Sequence, residues 1–190
     1  YVGRRTPIPT SQLEPRIEVR SPGVRGAHVR TALVVDQEVF TLGNAGLVRW
    51  TVEGWTRLAG PVGLDGQSFH AIATLGPADS STLGSVRPTP TTPNMVLAGA
   101  EGLLALWRPD GVWEVRRYPD PDVTFYGLAV HPASPVLLAV GARVSRGHAV
   151  AVEVLRSGGF RRVFEVPELA ALRDAHFIAE DRVVVCGDLG

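Results

Sequence analysis

The chain has 190 residues, of which 45% are hydrophobic and 20% are charged, and its 19 basic side chains balance 19 acidic ones. The zero net charge excludes the general electrostatic attraction of a dedicated nucleic-acid-binding protein, so we expect no nucleic-acid partner. No apolar run approaches the roughly 18 to 20 residues that a membrane-spanning helix needs, so no membrane span is expected in this segment. The single cysteine, Cys186, excludes an intrachain disulfide framework and a cysteine-based zinc finger.

The amino-terminal residues 1–15 are predicted to be a linker, because the run Thr6–Thr10 contains two prolines and is typical of an extended segment. The chain begins with Tyr1 rather than Met, and we therefore expect it to be part of a larger protein, in a compartment that the sequence leaves open. Residues 16–190 are predicted to form one folded domain.

Within this domain, four stretches repeat one pattern of apolar runs, five to eight residues long, that are bounded by turn residues and are typical of strands. The repeats lie near 27–58, 69–117 and 124–166, with a partial one at 174–190. A glycine closes the second run of each repeat, at positions 43, 99, 141 and 187, and the spacings are 56, 42 and 46 residues. Removing a Pro/Ser/Thr-rich insertion at 76–93 brings the long spacing back to roughly 40, which fits the period of about 40 to 45 of four-stranded propeller blades.

A single four-stranded meander with two apolar faces cannot bury both of them alone, whereas blades stacked around an axis can. The sequence therefore predicts an all-β fold, a β-propeller with four-stranded antiparallel blades, of which about three and a half are present. Residues 16–20 resemble an outer strand, and we expect them to help close the ring. Further blades would come from the same or another chain, since rings have about four to eight blades.

Two segments depart from the strand pattern. Pro167–Arg173 is the only helical candidate, with proline at its start, and is predicted to connect the third and fourth repeats. The insertion 76–93 is predicted to be a disordered loop on one face of the propeller, serving either as a partner-binding loop or as a tolerated insertion.

The repeats also resemble known propeller families. The pattern Gly-x-x-Gly-x-x-x-Trp at Gly43–Trp50, together with Gly-x-Trp at Gly111–Trp113, resembles the repeat of photosystem-assembly-factor (Ycf48-like) and BNR-type propellers. Phe125–Pro132 and Gly102–Trp107 resemble WD40-type repeats instead, although the Trp-Asp dipeptide and a complete Asp box are absent. The resemblance covers about residues 28–190 and implies a scaffold that binds partners; it brings no catalytic residue with it.

Histidines recur near the start of the first strand of the repeats. We interpret His28, His70 and His176 as equivalent, with Tyr126 in the remaining repeat, and expect them to form a ring near the central channel. Such a ring could bind a transition metal or an anion, or each histidine could simply hydrogen-bond to the neighbouring blade. No carboxylate recurs at a matching spacing, so no metal and no cofactor are predicted.

Arginine doublets lie on two predicted outer strands, Arg116–Arg117 and Arg161–Arg162. They could bind an acidic partner or protect the strand edges against aggregation.

The tryptophans are expected to pack in the blade cores, and Cys186 is expected to be a buried, inert thiol at the end of an apolar strand.

Taken together, these features favour a non-catalytic module that binds a protein or a small ligand, as a scaffold or sensor part of a larger bacterial protein. The alternative is a propeller-fold hydrolase or lyase with its site in the central channel, near His28, His70 and His176.

Overall fold

The structure is a computed structural model that describes residues 28–35, 38–44, 46–60, 68–75, 95–107, 112–131, 133, 136–155 and 159–189. The predicted linker at 1–15, the predicted closing strand at 16–20 and the predicted loop at 76–93 lie outside these residues. Among the described residues there is no helix of the length and apolarity that a membrane crossing requires.

The described chain consists of antiparallel strands in four sheets that follow one another along the sequence. Blade 1 has the strands β1 (Val29–Val35), β2 (Glu38–Gly43), β3 (Gly46–Thr51) and β4 (Gly54–Arg57). Blade 2 has β5 (Phe69–Thr74), β6 (Met95–Gly99), β7 (Leu103–Trp107) and β8 (Trp113–Arg117). In both sheets the strand order is the chain order, so each blade is a simple meander.

The third sheet repeats this order, and in the described part of the chain the fourth sheet contains the first two strands of the pattern. Blade 3 has β9 (Val123–Val130), β10 (Leu137–Arg143), β11 (His148–Val154) and β12 (Phe160–Val166). Blade 4 has β13 (Leu169–Ala179) and β14 (Arg182–Leu189). The fold is thus all-β and of propeller type, and the described residues form three four-stranded blades and half of a fourth, as the sequence predicts.

Consecutive blades pack through their first strands, which we call the inner strands. The inner strand β5 contacts both β1 and β9, and β9 in turn contacts β13. Each junction between blades holds its own apolar cluster. Phe40 and Leu97 lie in the cluster between blades 1 and 2, Phe125 in the one between blades 2 and 3, and Leu172 in the one between blades 3 and 4.

Alternate side chains of the middle blades enter different clusters. In β6, Met95 and Leu97 pack towards blade 1, whereas Val96 and Ala98 pack towards blade 3. All five residues of this strand are buried. Because both faces of the sheet are covered, the strand is an uninterrupted apolar run rather than an alternation of apolar and polar residues.

The helix predicted for Pro167–Arg173 is wrong. Pro167 and Glu168 form a turn, and the chain from Leu169 onward is strand β13, paired with β14. Leu172 is almost fully buried against blade 3, so tertiary burial overrides the local helix propensity of the Leu-Ala-Ala-Leu run. Blade 4 therefore begins five residues earlier than the sequence suggests.

The repeat glycines serve a close approach between strands. A Cβ atom added to any of them would overlap a backbone carbonyl oxygen at the start of the inner strand; the pairs are Gly43 with His28, Gly99 with Ser68, Gly141 with Thr124, and Gly187 with Ala171. Positive φ is instead supplied by the later glycine of each hairpin turn, at Gly46 (φ 85°) and Gly102 (φ 65°).

The substitution Gly141→Ala is expected to lower the free energy of unfolding by at least about 3 kcal/mol, at the upper end of typical overpacking costs, because the clashing atoms belong to the backbone and cannot rotate away. The control Gly60→Ala, at a position with open space around a built Cβ, should change it by no more than about 0.5 kcal/mol. Urea unfolding followed by tryptophan fluorescence measures both. Equal stabilities for the two variants would contradict the close approach.

Candidate functional site

Every inner strand contains a β-bulge at the same place. The residue that pairs with the repeat glycine is followed by one residue that the pairing with the second strand skips. The four skipped residues, which we call the bulge row, are Arg30, His70, Tyr126 and Arg173. A bulge re-aims the side chain of the extra residue, and such features are enriched next to functional sites.

The four side chains of the bulge row touch one another in sequence along neighbouring blades. Arg30 Nη1 lies 3.0 Å from His70 Nδ1. The rings of His70 and Tyr126 are 5.3 Å apart between centroids, and the guanidinium carbon of Arg173 lies 4.5 Å from the centre of the Tyr126 ring. One residue from each of four blades thus joins a continuous row of contacts.

The hydrogen bond between Arg30 and His70 fixes the state of the imidazole. A guanidinium can only donate, so Nδ1 of His70 must accept and the ring proton must lie on Nε2. Burial, followed by the charges of Arg30 and Arg173, lowers the pKa of His70 below its ordinary value. His70 is therefore neutral at neutral pH and offers an Nε2–H donor.

The two ends of the bulge row differ in their partners. Arg173 donates from Nε to Asp188 Oδ2 on β14 at 2.8 Å, and this hydrogen bond raises the pKa of Arg173. Arg30 donates to His70 and, at 3.3 Å, to the carbonyl oxygen of Phe69. Among the described residues no carboxylate pairs with Arg30, so the row keeps one positive charge that is not compensated.

The structure corrects part of the predicted histidine ring. His70 and Tyr126 do occupy equivalent positions, but His28 precedes the bulge of blade 1 by two residues and His176 follows that of blade 4 by three. The backbone N–H of His28 donates to Asn44 Oδ1 at 2.8 Å, and His176 is exposed opposite Val184. In the described part of the chain no three His, Cys, Asp or Glu side chains gather closely enough to hold a metal ion.

The arginine doublets lie on outer strands, as predicted, but at opposite ends of them, and all four side chains are paired. Arg116 Nε donates to Glu114 at 2.7 Å, and its Nη1 reaches the carbonyl oxygen of Leu155 in blade 3. The remaining pairs are Arg117 with Glu101 at 3.3 Å, Arg161 with Glu153 at 2.8 Å and Arg162 with Glu165 at 2.9 Å. Binding of an acidic partner by these residues stays a prediction, and it would have to compete with these carboxylates.

Two further side-chain predictions have different outcomes. Trp107 and Trp113 stack on each other at 5.4 Å and pack against the cluster between blades 1 and 2, which confirms a core role. Cys186 is exposed on β14, so its predicted burial is wrong. The apolar run Val183–Val185 misleads here because the described residues include no third strand beside β14.

A polar network at one end of blade 3 joins its strands to the preceding turn. Arg143 binds Asp120 and, from Nε at 3.1 Å, Glu165, while His148 Nδ1 donates to Glu165 at 3.1 Å. The hydrogen bonds from His148 and Arg143 hold the pKa of Glu165 below its ordinary value. These groups satisfy one another, and we interpret the network as structural.

Sequence reasoning missed Arg30 and Arg173 as members of the site. The available signal was a shared pattern at the start of each inner strand, in which an apolar residue precedes a long hydrogen-bonding one: Val29–Arg30, Phe69–His70, Phe125–Tyr126 and Leu172–Arg173. A search for repeated histidines could not find it, because the common property is a donor side chain and not one residue type.

The substitution Glu165→Gln should lower stability at pH 7 and flatten its fall in acid. A carboxylate whose folded pKa is lowered stabilises the fold above its unfolded pKa of about 4.3 and loses that effect as the pH falls through the folded pKa. We expect a smaller decrease in unfolding free energy between pH 6 and pH 3 in this variant. The control Glu168→Gln, in the exposed turn before β13, should keep the wild-type pH dependence. An unchanged acid profile in Glu165→Gln would contradict the assignment.

Comparison of the chain with models of known protein families and with curated proteins finds no match to either.

Proposed function

We propose that the chain is a non-catalytic binding module of β-propeller type and that the bulge row is its binding site. The observation that carries the proposal is the recurrence of one bulge in all four blades at the same register. A bulge re-aims the side chain of the extra residue, and each of these four bulges presents a hydrogen-bonding side chain.

The chemistry of the bulge row suits recognition. Its two guanidiniums can only donate hydrogen bonds, and Tyr126 and His70 add donors together with aromatic rings. Arg30 and Arg173 are exposed, while His70 and Tyr126 are half-buried, so the row is accessible yet held in place by the strands. Sites built on strands are positioned more precisely than sites on loops.

We further propose that the repeats are related to those of Ycf48-like, BNR or WD40-type propellers. Two tryptophan pairs support this: Trp50 faces Trp55 across β3 and β4, and Trp107 faces Trp113 across β7 and β8. In this proposal the module is a scaffold or sensor within a larger bacterial protein, it binds a protein partner or a small ligand, and further blades complete the ring.

The binding site can be tested with a fragment library of matched acidic, basic and neutral small molecules, screened by ¹H–¹⁵N NMR. We expect the chemical shifts perturbed by the hits to cluster on the four inner strands at the bulge row, with every fragment recovered unchanged. Hits confined to outer strands or the absence of hits would overturn the site. Conversion of a fragment would overturn the non-catalytic assignment in favour of an enzyme.

A further inference from the structure

We propose that the bulge row binds a small oxyanion, a carboxylate or a phosphate ester, between Arg30 and Arg173. This inference rests on the proposed binding function and narrows it to one ligand class. It follows from the number and kind of hydrogen-bond donors that the four blades bring together, and from the charge that this row retains.

Every member of the bulge row has a donor to offer. Among the described residues, Arg30 contacts His70 and Phe69 through Nη1 alone, which leaves the Nε and Nη2 edge of the guanidinium. That edge is the fork with which arginine binds the two oxygens of a carboxylate or phosphate. His70 adds its Nε2–H, and Tyr126 adds its hydroxyl.

Two acceptor groups in this row are already engaged. His70 Nδ1 accepts from Arg30, and the face of the Tyr126 ring is covered by the guanidinium of Arg173. A ligand that brought further donors would find few partners, whereas one that brings acceptor oxygens finds several. The charge of Arg30, which no carboxylate of the described residues pairs with, favours an acceptor that is negatively charged.

Asp188 lies where it would compete with a bound oxyanion for the hydrogen-bond donors of Arg173. Its carboxylate binds Nε and Nη2 of Arg173, at 2.8 and 2.5 Å, in the way that a bound oxyanion would. The Asp188 side chain is 47% exposed, so removing its charge should free the guanidinium without opening a buried cavity. The ligand-free protein thus shows one carboxylate already held at one end of the row.

The experiment titrates the protein with inorganic phosphate and, separately, with succinate, and follows the amides of the inner strands by NMR. Sodium chloride at equal ionic strength corrects for screening, and succinamide serves as the uncharged match to succinate. We expect saturable shifts around the bulge row with phosphate or succinate but not with chloride or succinamide. A response to only one of the two anions identifies the group as phosphate or as carboxylate.

Three variants separate a binding role from a structural one. Arg30→Gln should weaken anion binding by about tenfold or more, the typical effect of removing one charge-assisted hydrogen bond. Arg146→Gln, in the exposed turn between β10 and β11, removes the same charge elsewhere and should bind as the wild type does. Asp188→Asn should tighten binding, because the competing carboxylate is gone, and a merely structural residue would not produce such a gain.

Failure of the oxyanion proposal can be distinguished from failure of the proposed binding function. No saturable shift with either anion, or equal binding by Arg30→Gln and the wild type, would overturn the oxyanion site. If neutral or basic fragments still bind at the bulge row, the proposed binding function survives and only the ligand class is wrong. If Arg30→Gln does not fold, the Asp188→Asn comparison decides, and unchanged or weaker anion binding in that variant would overturn the inference.

Discussion

Burial of both faces of the middle blades is the constraint on which the rest of the structure depends. The strands β6 and β10 are apolar at almost every position, and alternate side chains enter the clusters on opposite sides of their sheets. Such sheets can be shielded from water only if a neighbouring sheet covers each face. The stacking of blades therefore follows from composition, and it forces the inner strands of consecutive blades into contact.

Because the inner strands of consecutive blades touch, the side chains displaced by their bulges lie together in one site. A single bulge would move one side chain and no more. When the same bulge occurs in four blades whose inner strands touch, the displaced side chains form a row, with Arg30 on His70, His70 on Tyr126, and Tyr126 under Arg173. The repeat glycine beside each bulge contributes to this arrangement, because it lets the second strand approach the backbone of the inner strand at that point.

The fold could be predicted from the sequence because its signals are periodic. Short apolar runs, turn residues and the glycines at 43, 99, 141 and 187 all specify four-stranded units. The bulges could not be predicted, because one extra residue leaves the composition of a strand unchanged. The histidine alignment therefore placed His28 and His176 out of register, while His70 and Tyr126 fell at equivalent positions.

The wrong predictions for Leu169–Leu172 and for Cys186 arise from tertiary structure. Leu169–Leu172 has good helix formers, yet pairing with β14 and burial of Leu172 make it a strand. Cys186 follows three valines, as buried residues often do, but the face it occupies carries no further blade among the described residues. Local sequence patterns predicted which residues form strands, whereas the burial of a strand depends on whether another sheet covers its face.

The asymmetry of the bulge row has a consequence for selectivity. At one end Arg173 is neutralised by Asp188, while at the other the contacts of Arg30 within the described residues are with the neutral groups of His70 and Phe69. Because a neutral His70 lies between them, we expect the positive potential to be greater at Arg30 than at Arg173. A ligand with one anionic end and one polar end would therefore bind in a single direction, with its anion at blade 1. The same four bulges with four identical side chains would give no such direction, so the variation among the blades, as much as their repetition, specifies what the site can recognise.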